Sequence, residues 1–257
     1  MNIKRLSFSS HSVVDNPFNW VYGLEDYGYT GWEIVQEGSQ KLDNDSLKNV
    51  RELHETTNLD ITIHLPFSDL NLSSLNPGIH REVLNQMRYN LEIASEFADL
   101  AVIHPGYKSP HGAQVPEKAW NKTVESLQKI CDYADDYNMQ IAVENMPNIP
   151  HIFGKEPQEM IDIIKSVNKD NLGITFDIGH ANTLSMVDDF LNECKNWITH
   201  IHIHDNNGKK DEHLPVGSGD INWKKVLENL SNYKGRYVTE LRTLEDGKKS
   251  LENIKSI

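Results

Sequence analysis

Eight short apolar runs recur along the chain, separated by longer segments with helical periodicity. They are Ile3–Phe8, Gly31–Val35, Asp60–Leu65, Leu100–His104, Gln140–Glu144, Leu172–Asp177, Ile198–His204 and Arg236–Leu241. Between them apolar residues step by three and four, as in Leu84, Met87, Leu91, Ala94 and Ala98, or Val124, Leu127, Cys131 and Ala134. That is the spacing of one buried helix face. Strand and helix in strict alternation imply βα units on a parallel sheet. Eight such units in 257 residues match a closed (β/α)8 TIM barrel, whose usual size is about 250 residues. No low-complexity linker divides the chain, so an α/β fold with one domain over residues 1–257 is expected. The competing architecture, an open doubly wound sheet, normally carries a Gly-rich phosphate loop after its first strand. Ser9-Ser10-His11-Ser12 contains none.

Read at period two, the strands separate into two faces. Ile61 and Ile63 oppose Thr62 and His64; Ile141 and Val143 oppose Ala142 and Glu144. Ile174 and Phe176 oppose Gly173, Thr175 and Asp177, while Ile201 and Ile203 oppose His200, His202 and His204. The large apolar set is expected against the outer helices and the small or polar set inside the barrel. His64, His104, Glu144, Asp177, His202 and Glu240 then stand at the C-terminal ends of their strands, with His180, Asp211 and His213 in the loops that follow. Barrel enzymes build their active sites at that end. Imidazoles and carboxylates converging without thiolates suit Zn²⁺ or Mn²⁺ rather than a structural zinc knot.

Composition narrows the partners. Lys and Arg number 25 against 38 Asp and Glu, a net charge of −13, which disfavours electrostatic capture of nucleic acid. No stretch approaches the roughly 20 apolar residues of a membrane span, so no membrane association is expected. Met1–Phe8 lacks the apolar core of an export signal, and Cys131 and Cys194 fall in helix-like segments. Both point to the cytoplasm.

Taken together, IHLPF, VIHPG, VENMP, DIGHA, HIHIHDN, DEHLPVGSGDINW and TELR resemble the xylose isomerase-like TIM-barrel superfamily, which holds sugar isomerases and epimerases and the endonuclease IV family. The resemblance spans essentially the whole chain in motif order. In the isomerase and epimerase branch it implies one divalent metal held by Glu144, Asp177, His202 and Glu240. Glu144 and Glu240 would also exchange the proton of a small sugar or sugar phosphate through an enediolate. His180 would bond a substrate oxygen, with His64, His104 and His213 as further substrate-binding groups. Tyr29–Ile34 resembles the Gly-x-Glu segment of that branch. Gly217–Trp223 resembles its Gly-x-Gly-x-Ile-Asp-Trp segment, with Asn222 in place of Asp. In the endonuclease IV branch the resemblance implies a zinc phosphodiesterase of the AP endonuclease type. Two or three metals would then be held by His64, His104, Glu144, Asp177, His180, His202, Asp211, His213 and Glu240, and nucleic acid would be the partner. The loops favour a small sugar: GWEIVQEG offers no Lys or Arg before Lys41, and the segment after His64 carries one aromatic, Phe67, beside acidic Asp69.

The remaining histidines read more plainly. His54 and His80 are expected to be solvated on helices, His111 and His151 exposed in loops, and His200 a satisfied core residue. His11 lines the mouth or caps a turn. His204 and Asp205 sit at the lip, to orient His202, touch substrate or serve the loop alone. The five tryptophans are expected in packing roles, with Lys209-Lys210 as a soluble loop pair beside Asp211.

Overall fold

The computed structural model describes residues 3–257; the first two residues of the segment read for an export signal, Met1 and Asn2, lie outside the described residues. The strands are β1 Leu6–Ser10, β2 Gly31–Val35, β3 Asp60–His64, β4 Ala98–Ile103, β5 Gln140–Glu144, β6 Leu172–Asp177, β7 Ile198–Ile203 and β8 Arg236–Leu241. They close into a barrel in chain order. Each pairs in parallel with its neighbours, and β1 completes the ring against β8, so no strand edge is left open.

The two faces separate as their periodicity requires. Ile61, Ile63, Ile141, Val143, Ile174, Phe176, Ile201 and Ile203 are buried in the large core between strands and helices. Leu100, Val102 and Ala142 form a small apolar cluster of their own on the opposite, inward face. The helix Pro77–Ala94 begins with Pro77 in its first turn, and the Asn76 side chain accepts from the backbone N–H of Gly78 and Ile79. This arrangement satisfies otherwise orphaned donors. Phe190, on the helix Val187–Glu193 after β6, stacks on Phe176 with ring centroids 5.5 Å apart. At the N-terminal end, Arg236 pairs with Asp99 at 2.8 Å and Arg5 with Asp60 at 2.8 Å. No helix of the described residues is long and apolar enough to cross a membrane.

Several boundaries differ from the expected ones. β1 lies at Leu6–Ser10 rather than Ile3–Phe8, because Ser9 and Ser10 continue the ladder opposite Glu240 and Leu241. Ala98 belongs to β4, opposite Ile61, and not to the preceding helix, which ends at Ala94 with Ser95 as its cap. β3 and β7 stop one residue early, leaving Leu65 and His204 in the loops. Trp32 and Trp223 are core residues, with Trp20, Trp120 and Trp197 half-buried.

His54 is exposed as expected, but His80 is buried. It shares the inner face of its helix with Val83, Leu84 and Met87, and its Nε2 lies 2.7 Å from Ser126 Oγ. Ser126 gives its own proton to a backbone carbonyl, Leu72 O or Lys122 O, so His80 is the donor. Burial and then Lys122 hold this imidazole below its ordinary value. The stability that a neutral His80 contributes is therefore present above its unfolded value of about 6.5 and lost as the pH falls through the lower folded value. Replacing His80 with Gln should flatten the decline in urea-unfolding midpoint between about pH 6.5 and 5; an unchanged slope would show that His80 does not carry it.

Candidate metal centre

The strand ends deliver a set of donors to the C-terminal mouth. From β5, β6, β7 and β8, ligand atoms of Glu144, Asp177, His202 and Glu240 lie within 4.8 Å of one another, all buried. His202 Nδ1 is the hub, 3.1 Å from Glu144 Oε1, 3.3 Å from Glu240 Oε1 and 3.7 Å from Asp177 Oδ2. Two further groups flank this quartet. His64 and His104 meet the other oxygen of Glu144, at 3.2 and 3.0 Å. His180, His204, Asp211 and His213 make the third. All nine residues expected at the site are thus brought together.

Backbone carbonyls fix which nitrogen each histidine presents. Nδ1 of His64 contacts Leu65 O at 2.9 Å, that of His180 Asn145 O at 2.8 Å, and that of His213 Glu240 O at 3.0 Å. A carbonyl only accepts, so each Nδ1 carries the proton and each Nε2 is left to face a carboxylate. The Nε2 atoms of His180 and His213 both reach Asp211 Oδ2, at 3.2 and 3.0 Å. His202 is turned the other way: its Nδ1 faces the donors and its Nε2 lies 2.9 Å from Glu33 Oε1.

Glu33 was missed as a site residue, although the Gly-x-Glu segment on β2 contains it. It is buried completely. Its second oxygen bonds His200 Nε2 and Thr62 Oγ1, both at 2.8 Å. His200 is thus the expected core residue but is satisfied only at Nε2, its buried Nδ1 having no partner among the described residues, and the other oxygen of Glu33 lies against the hub histidine from beneath.

The third group depends on a loop. Asp205 does not touch the donors; its carboxylate accepts from Gly217 N at 2.9 Å, Trp223 Nε1 at 2.8 Å and Asn206 N at 2.9 Å. Asp205 and Leu214 also exchange backbone bonds. This knot holds the stretch carrying Asp211 and His213, where His213 adopts the left-handed conformation at φ 49°, uncommon outside glycine. His204 does more than serve the loop. Its Nε2 lies 3.1 Å from Asp177 Oδ1, and its ring stacks on His213 at 3.9 Å. Gly179 in DIGHA makes room for it, since a Cβ there would lie 2.0 Å from His204 Cε1. His11 lines the mouth, its ring 3.9 Å from that of His213. His111, His151, Lys209 and Lys210 are exposed.

Electrostatics follow from this crowding. Burial pushes the carboxyl of Glu144 up, but His202, His104 and His64 override it and hold the group well below the usual range. Burial likewise opposes ionisation of Glu33 and Asp177, but the neighbouring histidines outweigh it and hold both carboxyls below their ordinary value. Glu240 is pushed up by burial. Burial and the adjacent His213 lower His11 to about 3. Among the described residues no Lys or Arg lines the mouth. A carboxylate cluster this buried calls for cations, and the donor chemistry fits a divalent metal such as Zn²⁺ or Mn²⁺. Asp211 Oδ1 and His204 Nδ1, both buried, have no hydrogen-bond partner among the described residues.

Residues 21–257 match the family described as xylose isomerase-like TIM barrel. A solved structure described as a D-tagatose 3-epimerase-like protein is 35% identical, with a TM-score of 0.92 over 98% of this chain and 96% of that one. An uncharacterised protein of Methanocaldococcus jannaschii is 36% identical over 97% of this chain and 88% of its own. Weaker similarity extends to both branches: fructoselysine 3-epimerase of Escherichia coli O157:H7 at 21% identity (84% of this chain, 82% of that one) and probable endonuclease 4 of Mycoplasmopsis pulmonis at 23% (86% and 74%).

Replacing Asp205 with Ala leaves buried N–H donors unpaired and should lower unfolding stability by about 2 kcal/mol or more. Amide exchange at Leu214 and Gly217 should quicken. Protection unchanged at both would remove Asp205 as the organiser of the loop.

Proposed function

Because the chain belongs to the xylose isomerase-like TIM-barrel family, we propose that it is a divalent-metal-dependent isomerase or epimerase of a small sugar. The observation that carries this reading is the buried quartet of Glu144, Asp177, His202 and Glu240 at the floor of a cavity of about 350 Å³. That volume is of small-molecule size. The names of the epimerase relatives support the same substrate class. With no Lys or Arg among the lining residues, the mouth favours a neutral sugar over a sugar phosphate.

Glu144 and Glu240 enter from strands three places apart and meet at the same His202 nitrogen, so a sugar carbon above that point has a carboxylate on either side. One takes the proton next to the carbonyl as base and the other returns one as acid. Return to the opposite face inverts the centre; return to the adjoining carbon moves the carbonyl. When bound, the metal would polarise that carbonyl. His64, His104, His180 and His213 supply hydrogen bonds to sugar oxygens. Glu33 holds His202 so that Nδ1 faces the donors.

A second reading, a zinc phosphodiesterase of the endonuclease IV type, is favoured by one specific observation. His64, His104 and Glu144, and separately His180, His204, Asp211 and His213, each form a metal-sized group of their own. Two or three ions could bind there and clamp a phosphodiester.

In deuterated water with Mn²⁺ or Zn²⁺ and a panel of ketohexoses, deuterium should enter the carbon beside the carbonyl. Glu144→Gln and Glu240→Gln should each cut kcat about 10²- to 10⁴-fold. Cleavage of abasic-site DNA, with three zincs per chain and no exchange into any sugar, would establish the second reading instead. Glu33→Ala should weaken metal affinity about 10- to 100-fold in chelator competition; unaltered affinity would take Glu33 out of the centre.

A further inference from the structure

Beside the mouth lies a second cavity of about 280 Å³. Phe67, His104, Met146 and Ile149 border both spaces. Beyond them the walls turn apolar, with Leu70, Leu72, Met87, Ile103 and Ile152, and among the described residues no carboxylate, Lys or Arg lines the chamber. The change of character occurs across one stacked pair. His104 turns its Nε2 to Glu144 at 3.0 Å, and Phe67 lies against the same imidazole with ring centroids 4.7 Å apart.

The chamber is held open by the loops after β3, β4 and β5. Asn71 Nδ2 donates to Tyr107 O at 2.9 Å, and Tyr107 N donates to Asn71 Oδ1 at 3.0 Å. Phe153 N donates to Gly106 O at 3.0 Å and Lys108 N to His151 O at 2.7 Å, tying the second and third loops together. Gly106 is required at this junction. Its φ is +93°, and a Cβ would lie 2.9 Å from Asn71 Oδ1.

We propose that this chamber is a substrate subsite for an apolar group attached to the sugar, an alkyl or aryl aglycone, so that the preferred substrate is a substituted sugar rather than a bare one. The polar half of that substrate rests on the sugar reading above. An apolar cavity of about 150 Å³ suffices to bind benzene, so a phenyl ring or short alkyl chain fits with room to spare. A charged or strongly hydrated substituent would lose its water there with no partner to replace it.

The test is calorimetric titration of the Mn²⁺-loaded protein with methyl, hexyl and phenyl β-D-glucopyranosides. Burying a methylene is worth roughly a fourfold gain in binding, so the hexyl and phenyl compounds should bind at least about tenfold tighter than the methyl one. Ile149→Asn, at a rim residue 47% exposed whose replacement leaves the core untouched, and Leu70→Asn should each shrink that gain to less than about threefold, since each puts a polar amide on the apolar wall. Equal affinities, no binding of the hexyl and phenyl compounds, or a gain that survives both variants would overturn the subsite. Deuterium exchange into ketohexoses and their hexyl ethers in the same preparation separates the two ideas. Exchange without the affinity gain removes the subsite alone, whereas the gain without exchange upholds the subsite and removes the isomerase reading.

Discussion

Five carboxylates, Glu33, Glu144, Asp177, Asp211 and Glu240, are gathered in and beneath the barrel mouth, and among the described residues every ion pair they make is to a histidine. This is the constraint around which the upper half of the molecule is arranged. Removing that much negative charge from water is costly unless cations accompany it, and among the described residues no lysine or arginine pairs with these carboxylates. The imidazoles are held rigidly and for the most part face the carboxylates with the nitrogen that is not tied to backbone. Such an arrangement is suited to a divalent ion, because it presents acceptor nitrogens and oxygens at one point without spending conformational entropy at the moment of binding.

Barrel register makes the convergence possible. Asp177 stands opposite His202, Thr175 opposite His200, and Ser9 opposite Glu240. Donors from separate strands therefore reach similar heights, while the residues below them form the packed interior. Glu33 lies level with Thr62 across β2 and β3 and spans the two heights: one oxygen to His200 and Thr62 within the barrel, the other to His202 above. The floor of the site is thus continuous with the core. Its stiffness comes from the same parallel ladder that closes the fold.

Much of this was legible in the chain. Period-two alternation in ITIH, IAVE, GITFD and ITHIHI separated outward from inward faces, and the donors followed from where each inward face ended. Glu33 escaped because a single acidic residue in GWEIV carries no local signal of its partner; its bond to His200 joins positions 167 apart. Asp205 escaped for a similar reason, since its partners are backbone N–H groups and an indole across a long loop. His80 could have been found: it sits one helical step before Leu84 on the buried stripe, but charged Arg81 and Glu82 beside it drew attention to the opposite face. Ala98 extended the same stripe by four residues across a boundary that only the cap at Ser95 and the pairing with Ile61 define.

The donor cluster alone does not select a reaction, because the two proposed readings draw on overlapping sets of these residues and fold does not dictate function. What separates them is the shape and charge of the approach. A polymer of phosphates needs a long cationic surface; this mouth is bordered by Glu37, Phe67, Met146 and Ile149, and an apolar chamber lies beside it. Metal ions would reduce the negative potential at the floor, so the overall −13 overstates what a substrate meets there. They would not add Lys or Arg to the lining of the mouth, which has none among the described residues to meet the phosphates on either side of a cleaved bond. On the proposed reading discrimination would lie with the loops after β3, β4 and β5, which are anchored to one another by Asn71 and the Gly106–Phe153 bond rather than by the donors. Those loops can diverge and retune the substrate while the carboxylates and imidazoles beneath them stay fixed.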